Sequence, residues 1–440
     1  MVTTRRVGGK PAKSSLDRLA VAFDDQHAVA NAGLVLTGTL AQRLDIEGLG
    51  DEMIDLGRRP GAFRPGRKLM TLVHAMIAGG DAIDDAEVLR TGSTAQVLGH
   101  RVMAPSTLGT FLRSFTFGHV RQLDRLAEAA LAHAWAAGAG PGEQPMVIDL
   151  DSTICEVHGY QKGGAAYGYT RALGYHPLLA TRAQTGELLH ARLRTGSCHS
   201  ARGAVRFCQE LAGRVRRAGA AGPLAVRADS GFWSTKIMDA LRRHRIRFSV
   251  TVRQTGPIKR TIAAIPGDAW VAIDYPAPGI AQVAETRHEG ERLIVRRVRY
   301  EADQGELVPD WRHHAFVTDR DGEALALDLD HRRHAVIELA IRDLKEGAGL
   351  AHCPSGRFFA NAAWLVIACL AHNLLRWVAA LGLQIPGAIV AKTVRRRYLT
   401  LPGRITRSAR RTRLQLPRDW PWAEGFLGAL ARLRSVALRP

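Results

Sequence analysis

Three acidic residues stand where this chain could do phosphate chemistry. The apolar run Met146 to Ile148 leads into Asp149, Leu150 and Asp151, and a second run, Leu224 to Val226, leads into Arg227, Ala228 and Asp229. Asp151 and Asp229 therefore lie where predicted strands stop, and the carboxyl ends of strands are where α/β folds assemble their sites. The third acid, Glu338, falls in a predicted helix seven residues before Lys345. Three convergent carboxylates are what is needed to hold two Mg²⁺ ions against a phosphodiester, so the expected chemistry is metal-assisted phosphoryl transfer. Asp149 shares a strand face with Asp151 and is the alternative first ligand.

Spacing around Glu338 is regular. His331, His334, Glu338 and Lys345 stand at offsets of three, four and seven, one face of a helix expected to begin near His331. Val336, Leu339, Ile341 and Leu344 take the other sides, which predicts a polar stripe bordering a buried helix and facing a cleft. The competing reading is a solvated stripe with Glu338 paired to Arg342.

The elements that must position these groups can be read in order. Strands are expected at Met146 to Asp151, His176 to Arg182 and Leu188 to Arg194, then a helix from Ser200 to Gly219. A strand Leu224 to Ala228, a helix Ser234 to His244 and a strand Ile246 to Val252 follow. The order βββαβαβ, with acids ending the first and fourth strands, is that of an RNase H-like fold. Such a fold needs one more helix to bring in the last carboxylate, yet about 75 residues intervene first. They read as strands at Trp270 to Tyr275, Ile280 to Arg287, Arg292 to Tyr300 and His313 to Val317, so an inserted β-rich subdomain is expected rather than a long loop. After Glu338, Phe359 to Leu375 predicts a long apolar helix behind the sheet, with Asn361, His372 and Asn373 as packing polar groups.

Lys and Arg number 61 against 41 Asp and Glu, a net charge of +20, which fits a nucleic-acid partner. Upstream, helices are expected at Arg67 to Ile77, Ser93 to Leu98, Ser106 to Phe115 and Val120 to Ala137. Short helices joined by glycine-containing turns suit a helix-turn-helix-like unit with Arg113 facing a groove, or equally an ordinary bundle. Downstream, Arg395, Arg396, Arg397, Arg404, Arg407, Arg410, Arg411 and Arg413 crowd a short stretch. Two strands across a turn at Pro402 and Gly403 would lay them along a phosphate backbone. The domain plan expected is a helical N-terminal DNA-binding region with a basic arm (1–140), a first core part (141–255), a β-rich insertion (256–325), a second core part (326–385) and a basic hairpin with tail (386–440). The five cysteines form no CxxC pair, which argues for reduced thiols, and apolar stretches too short or interrupted to span a bilayer make a cytoplasmic protein the expectation.

Together these residues resemble the DDE transposases of bacterial insertion sequences, in the group whose RNase H-like core is interrupted by a β-strand insertion. In that family the first acid is followed by Ser or Thr and then Thr, as Asp151 is by Ser152 and Thr153. The second sits in a motif like Arg227 to Phe232, and the third in a helical Tyr, Arg, Glu and Lys signature, with Glu338 and Lys345 at the family spacing. His331 and His334 stand where Tyr and Arg are usual. Gly159 to Gly164 and Gly174 to Leu178 resemble one subgroup.

The resemblance implies that Asp151, Asp229 and Glu338 hold two Mg²⁺ ions, with Mn²⁺ an acceptable substitute, and that Lys345 holds a phosphate near the scissile bond. DNA contacts would come from Arg113, His331, His334, Arg342, Arg395, Arg396, Arg397, Arg410 and Arg411, and Trp270 or Trp311 would steady an extruded base. The partners implied are the terminal inverted repeats and target DNA, bound as a homodimer and associated with the bacterial nucleoid. The alternatives are an RNase H-like nuclease without strand transfer and a transposase-derived repressor; glycoside hydrolysis would leave the positive charge idle.

Overall fold

The computed structural model describes residues 16–159, 161–168, 171–275, 279–300 and 311–438. The basic arm expected before residue 16 and Tyr160 of the glycine-rich motif lie outside the described residues. After a two-residue strand β1 (Ala28–Val29) come α1 (Val35–Arg43), α2 (Ile46–Met53), α3 (Pro65–Ala78), α4 (Thr94–Leu98), α5 (Pro105–Arg113) and α6 (Phe117–Ala134). Pro65 and Pro105 occupy the first helical positions, where a missing N–H costs nothing, and Gly79 ends α3 at φ 110°.

The middle of the chain gives β2 (Met146–Ser152), β3 (Cys155–Glu156), β4 (Ala166–Tyr167), β5 (Leu173–Tyr175), β6 (Leu178–Arg182) and β7 (Leu188–Arg192). Next are α7 (Ala204–Arg217), β8 (Leu224–Ala228), α8 (Thr235–Arg243), β9 (Ile246–Thr251) and α9 (Gly256–Ala263). Then follow β10 (Val271–Ile273), β11 (Gly279–His288), β12 (Glu291–Tyr300), β13 (Arg312–Thr318), α10 (Ala324–Arg332), α11 (Val336–Gly347) and α12 (Phe358–Trp377). The chain closes with α13 (Ala391–Val394), β14 (Gly403–Ser408), β15 (Arg411–Gln415) and α14 (Ala423–Ser435).

One nine-stranded sheet organises the centre, in the order β10-β11-β12-β13-β9-β8-β2-β6-β7. β2, β8 and β9 run parallel, and β6, β7 and β10 to β13 pair antiparallel. The strands expected in the insertion form, but they do not make a sheet of their own: β13 pairs with β9, so they lengthen the main sheet. The buried apolar faces of β12 and β13 make this continuation favourable, with Leu293, Val295, Ala315 and Val317 all buried. Helix α9, at the head of the insertion, was not expected from the sequence.

α12 is the hub. The stretch Phe358–Leu383 is long and apolar enough to cross a bilayer by length alone, yet 89% of its most apolar window is buried within the protein. Its polar groups bind backbone. Asn373 exchanges two hydrogen bonds with Leu188 of β7, His372 Nε2 reaches the Gly186 carbonyl at 2.9 Å, and Asn361 joins Ser355 to the Tyr175 hydroxyl. Helices α3, α5 and α6 pack against α12, so one continuous core runs from Val29 to Leu433.

Two elements differ from expectation. The helix expected from His331 begins instead at Ala324 and is interrupted by a 3₁₀ turn at Arg333–Ala335 before α11. Val336 and Leu339 are exposed, 36% and 51%, so α11 buries only the Ile337, Ala340, Ile341 and Leu344 side. The C-terminal hairpin is also shifted: its turn lies between Ser408 and Arg411, and Arg395–Leu399 is helical. The reason is Arg395, whose guanidinium turns inward to the carbonyls of Ile77, Met76 and Gly347 and so caps the C-termini of α3 and α11.

Arg395→Ala should therefore lower stability by about 1 to 3 kcal/mol, since it strands buried carbonyls. The check is a denaturant titration beside Arg396→Ala, whose exposed side chain should make little difference.

Candidate active site

Parallel pairing of β2 with β8 sets Asp149 opposite Arg227 and Leu150 opposite Ala228. One step further along both strands are Asp151 and Asp229, side by side at the carboxyl ends. Arg227 grips Asp149 through both carboxylate oxygens, Nε to Oδ1 at 2.7 Å and Nη2 to Oδ2 at 2.9 Å, with the side chains 3% and 1% exposed. Its third nitrogen donates to the Asp330 carbonyl at 2.5 Å, tying α10 to the sheet. His334 Nδ1 adds a contact to Asp149 Oδ1 at 3.0 Å. With both oxygens engaged, Asp149 is a buried strut beneath the site.

Asp151 is the strained acid of the group. Burial raises its pKa; the Ser152 N–H, 2.6 Å from Oδ1, and the His334 charge work the other way; the charges of Asp229 and Glu338 push it up again, to about 6. Asp229 accepts the Gly231 N–H at 2.9 Å at the head of a single 3₁₀ turn. Gly231 is required there: a Cβ would come 2.8 Å from Ser200 Cβ and 3.0 Å from the Asp229 carboxylate. Arg194 fixes the Ser200 loop from below, donating to the carbonyls of His176, His199, Ser200 and Arg202.

Glu338 is exposed in the first turn of α11, and Lys345 in the last turn sends Nζ to the Ile154 carbonyl at 2.8 Å. The polar stripe is thus split. His331 is stacked on Phe316, ring centroids 4.1 Å apart, and bonds Thr251 Oγ1 through Nε2; burial, and then the charge of His334, lower its pKa to about 3. A neutral, enclosed His331 is a packing group rather than an anion clamp. His334 faces Asp149, not the outside.

Among the other DNA-contact candidates, Arg342 is exposed on α11 and Arg113 is exposed at the end of α5. Arg396, Arg410 and Arg411 are exposed and have no ion pair among the described residues, and Arg397 lies 5.5 Å over the Trp422 ring. Arg395 is withdrawn from the set by its caps. In the insertion strands Arg297 is held between Trp270 and Trp311, at 4.0 and 4.4 Å from the ring centroids. Arg227 and Arg194 were not singled out from the sequence. Only the strand register shows that Arg227 faces Asp149.

Asp124, His190 and Glu210 bring ligand atoms within 4.8 Å of one another, the one such trio among the described residues. Arginines already saturate it: Arg214 and Arg121 on Asp124, and Arg121, Arg192 and Arg206 on Glu210. Burial acts to raise the pKa of both carboxyls, but the His190 hydrogen bond and these charges outweigh it and hold both far below the usual range. It is an ion-pair lock between α6 and α7.

Asp151, Asp229 and Glu338 form no ion pair among the described residues. The sequence profile of the family described as Transposase DDE domain group 1 matches residues 12–438. The chain belongs to this family. Divalent metal is the general cofactor of DDE transposases. A solved piggyBac transposase synaptic complex with hairpin DNA is similar over 84% of this chain and 80% of that one, at 13% identity and a TM-score of 0.44. No curated protein matches the chain by sequence.

The donor set of this DDE family member fits a divalent cation. The negative charges of Asp229 and Glu338 both act on the buried Asp151 carboxylate. A group whose pKa is raised in the folded state supports stability only while protonated; that support is complete below about 4 and is lost as pH rises through about 6. Asp151→Asn should therefore stabilise the metal-free protein at pH 7.5, by at most about 3 kcal/mol, with the gain vanishing near pH 4. Mg²⁺ should raise the wild-type melting temperature at pH 7.5 and leave that of the variant nearly unchanged.

Proposed function

We propose that the chain is a cut-and-paste transposase that binds the terminal inverted repeats of its element as a homodimer, cleaves the DNA strands with Mg²⁺ or Mn²⁺, and transfers the ends to target DNA. The observation that carries this reading is the placement of Asp151 and Asp229 side by side at the ends of parallel strands, with Glu338 acting electrostatically on Asp151. Strand order and directions from β2 to β9, with α7 and α8, support an RNase H-like core, and the strands added beyond β9 support a β-rich insertion within it.

In this reading Asp151, Asp229 and Glu338 hold two divalent ions, which when bound supply charge neutralisation and activation of the attacking oxygen. Asp149 is left out of the ligand set because Arg227 occupies it. The protein's own contribution is placement. Lys345 exchanges the Ile154 carbonyl for a phosphate oxygen of the strand being cut, two helical turns from Glu338. Exposed Arg396, Arg397, Arg410 and Arg411, with Arg342 and Arg113, contact backbone phosphates, and the Trp270, Arg297 and Trp311 stack offers a surface for an unpaired base. The protein works in the cytoplasm, on nucleoid DNA.

Asp151→Asn, Asp229→Asn and Glu338→Gln should each reduce strand cleavage of DNA bearing the element's ends by at least about a thousandfold, while end binding persists. Full activity in any one removes that acid from the site. A denaturing gel also separates the readings, because cleaved ends never joined to target DNA would mark a nuclease without strand transfer. Replacing Arg410 and Arg411 by Ala should flatten the dependence of binding on salt by up to about 0.9 log units per lost phosphate contact; an unchanged slope would assign the hairpin to solvent.

A further inference from the structure

One contact beside the acids brings donors together with no acceptor between them. His199, exposed on the segment between β7 and α7, accepts the Ala201 N–H on Nδ1 at 3.2 Å, and its Nε2 lies 3.2 Å from Nη2 of the exposed Arg253. A neutral imidazole has one ring nitrogen free to accept, and a guanidinium has none. With Nδ1 serving Ala201, Nε2 carries the proton, and two N–H groups face each other. The other tautomer moves the conflict to the Ala201 N–H, and an imidazolium leaves both donors unanswered. Arg253 makes no other side-chain hydrogen bond and no ion pair among the described residues.

Both side chains come from fixed backbone at the end of the sheet where Asp151 and Asp229 stand. β9, β8 and β2 are neighbours, and Ala228 pairs with Val250, so Thr251 is level with Asp229 and Arg253 follows just past the end of β9. The Val252 N–H donates to the Ala315 carbonyl at 2.9 Å and the Thr255 N–H to the Arg253 carbonyl at 2.8 Å. On the other chain segment the buried Arg194 donates to the carbonyls of His199, Ser200 and Arg202. Ser200 Oγ stands 3.3 Å from Ser152 Oγ, next to Asp151. Lys345 meets the Ile154 carbonyl just past the end of β2. Positive charge thus flanks the acids on the β9 side and on the β2 side.

We propose that His199 and Arg253 together bind one backbone phosphate of the DNA strand being cut, on the β9 side of the acids, while Lys345 holds another on the β2 side. The inference rests on the phosphoryl-transfer reading above. A phosphate supplies what the contact lacks: an anion whose oxygens accept from the imidazole N–H and from the guanidinium fork at once. Because the backbone on both sides is already anchored, the two donors need little ordering when the strand arrives. Two phosphates held on either side of Asp151 and Asp229 fix the position of the scissile bond between them, so the pair acts by positioning and touches no reacting atom.

The test uses full-length protein and DNA bearing the element's ends, in which single phosphates around the cut are replaced one at a time by uncharged methylphosphonate. At one position the replacement should slow wild-type cleavage by about ten- to a hundredfold. Arg253→Ala and His199→Asn should show that loss on unmodified DNA and lose nothing more at that position, whereas Lys345→Ala should stay sensitive there. Asn at 199 keeps an acceptor for the Ala201 N–H but puts no N–H at the place of Nε2; His199→Gln does put one there and should retain most of the rate. Losses that add at every position, or wild-type cleavage by Arg253→Ala, would overturn the proposal. A second measurement needs no cleavage: inorganic phosphate added to the metal-free protein should shift the His199 imidazole resonances saturably, and should not do so in Arg253→Ala. No shift in the wild type would assign the contact to solvent and also overturn the pair. A phosphate shift in a protein that cleaves no DNA would count against the transposase reading and leave the anion site standing.

Discussion

The buried ion pair of Arg227 with Asp149 is the constraint on which the rest of the site depends. It joins neighbouring parallel strands one residue below the two acids, and through Asp330 and His334 it reaches the segment that delivers Glu338. Burying two charges is expensive, and only the bidentate geometry and the further hydrogen bonds recover the cost. Loss of one partner alone typically costs about 3 to 5 kcal/mol, because the other is left charged and dry. The pair therefore acts less as a source of stability than as a registration device: slippage of β2 against β8 by one residue would turn Asp151 and Asp149 to the opposite face.

Two acidic clusters in this molecule show what distinguishes a structural site from one that calls for a cation. Asp124 and Glu210 are gripped by arginines and share His190, so the charge is closed. Around Asp151, His334 is bonded to Asp149 and Lys345 to the Ile154 carbonyl. The charges of Asp229 and Glu338 weigh on Asp151, which forms no ion pair among the described residues, and in the proposed reading a divalent cation supplies the missing positive charge. The better ligand cluster by compactness is thus the poorer candidate by electrostatics.

Much of this was legible in the chain. Strands β2, β6, β7, β8 and β9 and those of the insertion fell within a few residues of their expected places, because buried parallel strands are short continuous apolar runs and half-buried ones alternate, whereas the two- and three-residue strands β3, β4 and β5 are too short to leave such a pattern. Asp151 and Asp229 at strand ends followed from that. What failed to show was tertiary. Helical periodicity placed His331, His334, Glu338 and Lys345 on one face, but the 3₁₀ turn at Arg333–Ala335 rotates the histidines away, His331 onto Phe316 and His334 onto Asp149. Arginine density marked 395–413 as a basic ribbon, yet composition does not say that Arg395 turns inward to cap α3 and α11. Nor does a strand pattern tell whether inserted strands form their own sheet or extend an existing one.

The central claim is that Asp151, Asp229 and Glu338 form the cation site while Asp149 is its strut. Crystals soaked in Mn²⁺ and measured at the manganese absorption edge test it most directly. The account predicts anomalous peaks bounded by the carboxylates of Asp151, Asp229 and Glu338, with Asp149 still on Arg227. A peak at Asp149, or at Asp124, His190 and Glu210 with none between the three acids, would contradict it.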